Sequence, residues 1–385
     1  MPTYKRLPVT FERGEGATLW DSDGKPYLDA ISGIAVCSLG HAHPAVSRAL
    51  CEQAATLVHT SNLYRIQAQE ALGQRLTEQA GMDQVFFANS GAEANEAAIK
   101  LARLYGHRKG ITEPTILVME NSFHGRTLAT LSATGNAKIQ QGFEPLVAGF
   151  HRLPFNDLEA ARTAAADPNV VAVLVEPVQG EGGVRIPAPD YLNGLRRLCD
   201  EHGWLLMLDE IQTGMGRTGR WFAHQHNAIV PDVMTLAKAL GNGVPIGACL
   251  ARGPAADVLQ AGSHGSTFGG NPLASAAGLA VMETLAAEDL VQRAEQLGGH
   301  LREGFQKRLG ELDGVTDIRG LGLMLGIELD RPCAELVGQA LEQGLLINVT
   351  AERVIRLLPP LILSDAEVER LVDTVSGLVE RFLST

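Results

Sequence analysis

No stretch of the chain is apolar over the roughly 18 to 20 residues that a membrane-spanning helix requires, so no spanning helix is expected. Basic charge is also in deficit. Lysine and arginine number 32 against 44 aspartates and glutamates, a net charge of −12, and no block of consecutive basic residues occurs. Neither nucleic acid nor an anionic membrane surface is therefore an expected partner. The five cysteines (Cys37, Cys51, Cys199, Cys249 and Cys333) are odd in number and widely spaced. That spacing offers neither a disulfide framework nor a cysteine metal site, and they read as reduced packing residues. The first residues, Met1 to Arg6, contain no apolar signal core, and a cytoplasmic location is expected. Internal repeats and low-complexity linkers are missing. Lysine itself is scarce: between Lys138 and Lys307 the only one is Lys238.

What is present is apolar content. At 385 residues and 45% hydrophobic composition the chain can bury a large core, and it is expected to divide into two unequal lobes. From about Gln84 to Gly270 short apolar runs alternate with amphipathic stretches. The runs 85–88, 115–119, 170–175 and 205–208 lack polar alternation, as strands buried on both faces of a mainly parallel sheet do. Between the last two, Tyr191, Leu192, Leu195, Leu198 and Cys199 fall at helical spacing and Gly203 follows as a stop, which completes a β-α-β unit. The ends differ. Thr18 to Leu28 reads as a hairpin turning at Asp23-Gly24. Long helical patterns follow Asn271, then a glycine-rich strand pair near 320–328 and an amphipathic helix near 365–382. The expected architecture is α/β, with a large domain at 41–270 and a small α+β domain assembled from 1–40 and 271–385.

Lys238 lies among Leu236, Ala237, Ala239, Leu240 and Gly241, with no charged neighbour. Burial in such surroundings lowers a lysine pKa and frees the lone pair that a Schiff base with an aldehyde cofactor needs. Asp209-Glu210 ends a strand at the edge where open α/β sheets bind ligands, and Asp209 could supply the anion that a pyridinium nitrogen wants. Ser90 and Glu93 have capping-box spacing at the start of a helix. With the small residues Gly91 and Ala92 between them, backbone N–H groups can approach a phosphate; an ordinary helix cap accounts for the same residues. Phe123 could stack on a ring and Arg126 could grip a carboxylate as a planar fork, although a core phenylalanine beside a surface arginine is the commoner case. Gly214-Met215-Gly216-Arg217-Thr218-Gly219 matches a dinucleotide fingerprint. Its glycines, however, do not open an amphipathic helix, which that fingerprint demands. The pairs His41/His43 and His224/His226 lack a third ligand nearby, so no metal site is expected.

Taken together, these segments resemble the class III, fold type I, pyridoxal-phosphate aminotransferases over nearly the whole chain, and within that family the branch acting on N-acetylornithine. The resemblance rests on Gly33 to Val36 leading to Gly40-His41-Ala42-His43-Pro44, on Asn89 to Asn95, and on Phe123 to Thr127. It continues through Glu176 to Gly183, Asp209 to Gly214, Lys238 and Ser266 to Pro272.

Carried over by position, the resemblance implies pyridoxal 5′-phosphate held as an imine on Lys238, with Asp209 at its ring nitrogen and Gln212 near its phenolic oxygen. Gly91 and Ala92 would bind its phosphate together with Thr267 from a partner subunit, and Phe123 and Ile211 would enclose its ring. Glu210 is included among the cofactor residues and Ser266 among the substrate residues. Arg126 is expected to bind the donor's carboxylate, while Glu181 pairs with Arg356 and releases it when 2-oxoglutarate arrives; Arg353 is a nearby competitor for that role. The implied reaction is ping-pong transamination by a homodimer with shared active sites, in arginine biosynthesis or, equally open from the sequence, in arginine breakdown. Tyrosine is absent from Ile31 to Cys37, where the related ornithine enzymes use one. That favours a donor with an acylated α-amine, and leaves N-succinylornithine and other ω-amines as alternatives.

Overall fold

The computed structural model of the chain describes residues 1–384. At its centre is a seven-stranded sheet built from β4 (Gln84–Ala88), β5 (Thr115–Met119), β6 (Phe150–Leu153), β7 (Val170–Val175), β8 (Leu205–Asp209), β9 (Val233–Leu236) and β10 (Gly247–Ala251), preceded in the chain by the N-terminal strands β1 to β3 described below. The strand order is β4-β10-β9-β8-β7-β5-β6, with β10 antiparallel to both of its neighbours and the pairs from β9 to β6 parallel. Every residue of β7 and of β8 is buried, as their unbroken apolar sequences require of strands covered on both faces. The helix Tyr191–His202 connects these two and stops at Gly203, whose left-handed φ of 65° glycine adopts without strain.

The N-terminal strands β1 (Phe11–Glu15), β2 (Thr18–Asp21) and β3 (Pro26–Asp29) form an antiparallel meander. The expected hairpin is β2–β3, and Asp21 Oδ1 accepts the N–H groups of Asp23 and Lys25 across its turn. A strand from the far end of the chain, β13 (Leu345–Leu346), joins β3 in parallel. The remaining C-terminal strands β11 (Val315–Leu321), β12 (Met324–Leu329), β14 (Asn348–Thr350) and β15 (Val354–Leu357) make a four-stranded sheet in the order β11-β12-β15-β14. The helices Leu290–Leu309 and Asp365–Leu383 pack on each other beside it. The last helix opens with a complete capping box between Ser364 and Glu367. A large mixed-sheet domain thus carries a smaller domain beside it. Among the described residues no helix is long and apolar enough to cross a membrane.

The segment 214–219 opens no helix. It runs through turns to a short 3₁₀ stretch at Ala223–Asn227, and Arg217 is wholly buried, donating to Leu323 O, Pro359 O and Ser38 Oγ. Its glycines thread a buried guanidinium between chain segments and form no dinucleotide turn.

Candidate active site

The carboxyl ends of β5, β7, β8 and β9 all open on one edge of the central sheet, and the chain leaving each of them lines a single cavity of about 420 Å³. From β5 comes the Phe123–Arg126 segment, from β7 Glu176 and Glu181, from β8 Asp209, Ile211 and Gln212, and from β9 Lys238. Ser90, Gly91 and Ala92 follow β4, and Val244 to Ile246 lead into β10. This is where a parallel sheet offers a ligand both backbone polar groups and helix N-termini.

Lys238 sits immediately beyond β9 in a left-handed backbone conformation, φ 47°, that a residue with a side chain rarely adopts. Protein surrounds its ammonium, although the side chain keeps some accessible surface along the cavity. Loss of hydration is the main cause that pulls its pKa down from 10.5 to about 8, and Arg356 acts in the same sense; Glu181, Asp209 and Glu176 oppose it. The amine has no hydrogen-bond or ion-pair partner among the described side chains.

Asp209 is 4% exposed, yet each of its oxygens is engaged. Oδ2 accepts from Asn95 Nδ2 at 2.8 Å and lies 2.8 Å from His124 Nδ1, while Oδ1 accepts the N–H of Ile211 at 3.1 Å. Asn95 is fixed in turn by Thr235 Oγ1, which donates to its Oδ1, and by the carbonyl of His124. A buried carboxylate persists only with such support. Behind it Glu176 accepts from the N–H groups of Phe123 and Gly180. Burial, reinforced by the nearby Asp209 charge, raises its carboxyl to about 7 against the opposing effect of His124 and those donors. No role for Asn95, His124 or Glu176 follows from the sequence alone. Their contacts bring together positions far apart in the chain, and the one local clue is an asparagine inside a helix where it has poor propensity.

The helix Gly91–Arg108 points its N-terminus at the cavity. Ser90 Oγ accepts the Glu93 N–H at 3.2 Å, and Glu93 reaches back to the Asn89 N–H at 2.7 Å. The leading N–H groups, those of Gly91 and Ala92, have no acceptor within a helix. A side chain at Gly91 would put its Cβ 2.7 Å from Ile211 Cδ1, so glycine is what allows the helix start and the Ile211 wall to meet. The guanidinium of Arg126 stands exposed over Phe123, 5.7 Å from the ring centroid. Arg356 on β15 is 1% exposed, and its Nη1 donates to Glu181 Oε1 at 2.6 Å. Arg353 instead lies 3.6 Å from Glu328, which removes it from the Glu181 pair.

Two expected residues, Glu210 and Ser266, fall elsewhere, and Thr267, expected to serve a partner subunit, lies outside the cavity of its own chain. Glu210, expected to touch the cofactor, turns away from the cavity: its carboxylate accepts from the N–H groups of Ala223 and His224 at 2.6 and 2.9 Å and from Thr213 Oγ1. It organises the loop behind β8. Ser266 and Thr267 lie outside the cavity wall of their own chain; Ser266 Oγ bonds Asn89 and the Gly269 N–H, and Thr267 is exposed.

The cavity thus combines a desolvated amine, an anchored carboxylate, a helix N-terminus with free N–H groups, and apolar walls from Val36, Phe123, Ile211, Val244 and Ile246. These are the complements of an aldehyde, a ring nitrogen, a phosphate and a flat ring, so pyridoxal phosphate fits the donor set.

Comparison with known proteins agrees. Residues 2–379 match the aminotransferase class-III family. An acetylornithine aminotransferase of Nitrosomonas europaea is 59% identical, over 100% of this chain and 98% of that protein. Among solved structures, an ornithine aminotransferase from Toxoplasma gondii, whose active site holds pyridoxal phosphate at partial occupancy, superposes with a TM-score of 0.95 at 38% identity, covering 98% of this chain and 90% of that one. An acetylornithine aminotransferase from Elizabethkingia anophelis gives a TM-score of 0.88 at 36% identity, covering 99% and 96%. The chain belongs to the class-III aminotransferases and is a pyridoxal-phosphate-dependent aminotransferase.

Proposed function

We propose that this enzyme transfers the terminal amino group of N-acetylornithine to 2-oxoglutarate, giving N-acetylglutamate 5-semialdehyde and glutamate. The observation that carries the reading is the pair of unequal cations at the cavity. Arg126 is exposed and free to take a carboxylate, whereas Arg356 is buried and neutralised by the cavity-wall residue Glu181. A donor with one carboxylate needs only the first; an acceptor with two calls on the second. When Glu181 swings aside the buried guanidinium gains a substrate carboxylate in its place, so neither half-reaction leaves an unpaired buried charge. The names of the Nitrosomonas europaea and Elizabethkingia anophelis relatives support the same donor, and that of the Toxoplasma gondii relative supports ornithine as the alternative.

Pyridoxal phosphate, when bound, supplies an aldehyde that exchanges amines and a ring that withdraws electrons from the carbon being deprotonated. Lys238 would hold it covalently through Nζ; freed when the donor amine takes its place, the same nitrogen would accept the proton from the donor carbon and deliver it to the cofactor's former aldehyde carbon. Asp209, fixed by His124, Asn95 and the Ile211 N–H, would face the ring nitrogen and keep a proton on it. Gly91 and Ala92 would bind the phosphate by N–H, Phe123 and Ile211 would enclose the ring, and Gln212 would serve its phenolic oxygen.

The site is completed by a second copy of the chain. Exposed Thr267 is followed by Phe268, 59% exposed, and the loop that Asn62 ties to it carries Leu63 and Tyr64, 85% and 70% exposed. Asn62 donates to the carbonyls of Ser266 and Gly269, which ties together the two loops that carry these exposed apolar side chains. Such a patch suits a two-fold interface that delivers Thr267 to the partner's phosphate. The division into 41–270 and the two flanking segments belongs to the same reading, supported by β13 joining β3.

A panel of N-acetylornithine, N-succinylornithine, ornithine and 4-aminobutyrate against 2-oxoglutarate tests the assignment. N-Acetylornithine should show the highest kcat/KM; a preference for ornithine or 4-aminobutyrate would refute it.

A further inference from the structure

The buried guanidinium of Arg356 has a second anchor. β14 pairs antiparallel with β15 so that Asn348 lies directly opposite Arg356. The amide oxygen Oδ1 of Asn348 accepts from Nε at 3.2 Å and from Nη2 at 2.8 Å. Two residues on, and hence on the same face of the strand, Thr350 Oγ1 donates to the backbone carbonyl of Glu181 at 2.5 Å. One short strand thus holds the cation by its Nε edge and the backbone of the acid that neutralises it. Only the side chain of Glu181 is left free to move, and it is 38% exposed whereas that of Arg356 is 1% exposed.

We propose that Asn348 is a positioning residue that decides which partner of the Glu181–Arg356 pair moves, and that it does so because its oxygen is neutral. The inference rests on the two-substrate reading above. A guanidinium has five N–H donors. With Glu181 withdrawn, Asn348 still satisfies the Nε edge and Nη1 keeps only a long 3.5 Å contact with Gln212 Oε1, so the buried cation stays in place and Nη1 is released toward the incoming carboxylate. An uncharged acceptor leaves the full positive charge for that substrate. An aspartate would make a permanent pair and compete with it, and an alanine would leave the cation buried and under-bonded whenever Glu181 departs.

The two half-reactions, followed separately in the holoenzyme by its visible absorbance with N-acetylornithine and then with 2-oxoglutarate, test this in Asn348→Asp and Asn348→Ala. Position 348 is half-buried on a short strand, and retained cofactor absorbance reports folding. The half-saturating concentration of 2-oxoglutarate should rise roughly tenfold or more in Asn348→Asp and several-fold in Asn348→Ala, while that of N-acetylornithine changes by less than about twofold. Equal losses in both half-reactions would reduce Asn348 to a structural residue and overturn the proposal, as would 2-oxoglutarate saturation in Asn348→Asp matching the parent enzyme. If the parent enzyme itself does not react with 2-oxoglutarate, the two-substrate reading falls and the role of Asn348 falls with it.

Discussion

At the scale of single residues, one amine and its surroundings set the chemistry. Lowering the Lys238 pKa from 10.5 to about 8 raises the neutral fraction at physiological pH by about two orders of magnitude, because each step of one in pKa is tenfold. The sign follows from burial: the charged form is disfavoured, so the amine loses its proton at lower pH than a solvated lysine. Capture of pyridoxal phosphate by the apoprotein should therefore quicken about tenfold per pH unit below 8 and level off above it. Stopped-flow absorbance measures this, and a rate still climbing at about pH 10 would show a hydrated lysine. The isolation of Lys238 among apolar residues is legible in the sequence; the support of Asp209 is not. His124 stands within a recognisable segment and Asn95 within a helix, but nothing local reveals that both meet the same carboxylate oxygen. Glu210 shows the converse. The chain leaves β8 at Asp209, and the next residue, Glu210, faces away from the cavity and is held by the Ala223 and His224 N–H groups.

At the scale of elements, the site depends on a helix start pressed against the segment after β8. Gly91→Ala would drive its new Cβ into Ile211, which lines the cavity. Cofactor affinity should fall roughly tenfold, about 1.4 kcal/mol, and the same substitution should cost less in an Ile211→Ala background, since the two side chains contest one space. Equilibrium dialysis of the four proteins against pyridoxal phosphate gives the coupling; strict additivity would mean that Gly91 and Ile211 act independently. The all-buried strands β7 and β8, the helix between them, the β2–β3 hairpin and the final helix are readable from periodicity and turn residues. β6, β9 and β10 are not. Phe150–Leu153 is short and interrupted by His151 and Arg152, Val233–Leu236 has only four residues, and Gly247–Ala251 carries the small residues that a strand between two neighbours accommodates. Its antiparallel direction is a tertiary fact that no local pattern encodes.

At the scale of the whole molecule, the placement of Thr267 outside its own cavity demands a second subunit if it is to reach a phosphate. Mixed dimers of Lys238→Ala and Thr267→Val protomers separate the possibilities. In a shared-site dimer the Thr267→Val protomer keeps its own lysine and receives an intact threonine from its partner. About half of the parent activity should then return, although each homodimer is impaired. If sites were self-contained, the mixed dimer would show only the average of the two impaired homodimers. Both chain ends meet through β3 and β13, and Arg356 on the C-terminal sheet reaches Glu181 on the large domain, so under the proposed two-substrate scheme relative movement of the two domains would be felt at that ion pair.

The most direct measurement is to reduce the holoenzyme with borohydride, digest it and locate the pyridoxyl group by mass spectrometry. A single modified peptide carrying the label on Lys238 is predicted; a label on another lysine, or a holoenzyme that cannot be trapped, would contradict the assignment of this amine.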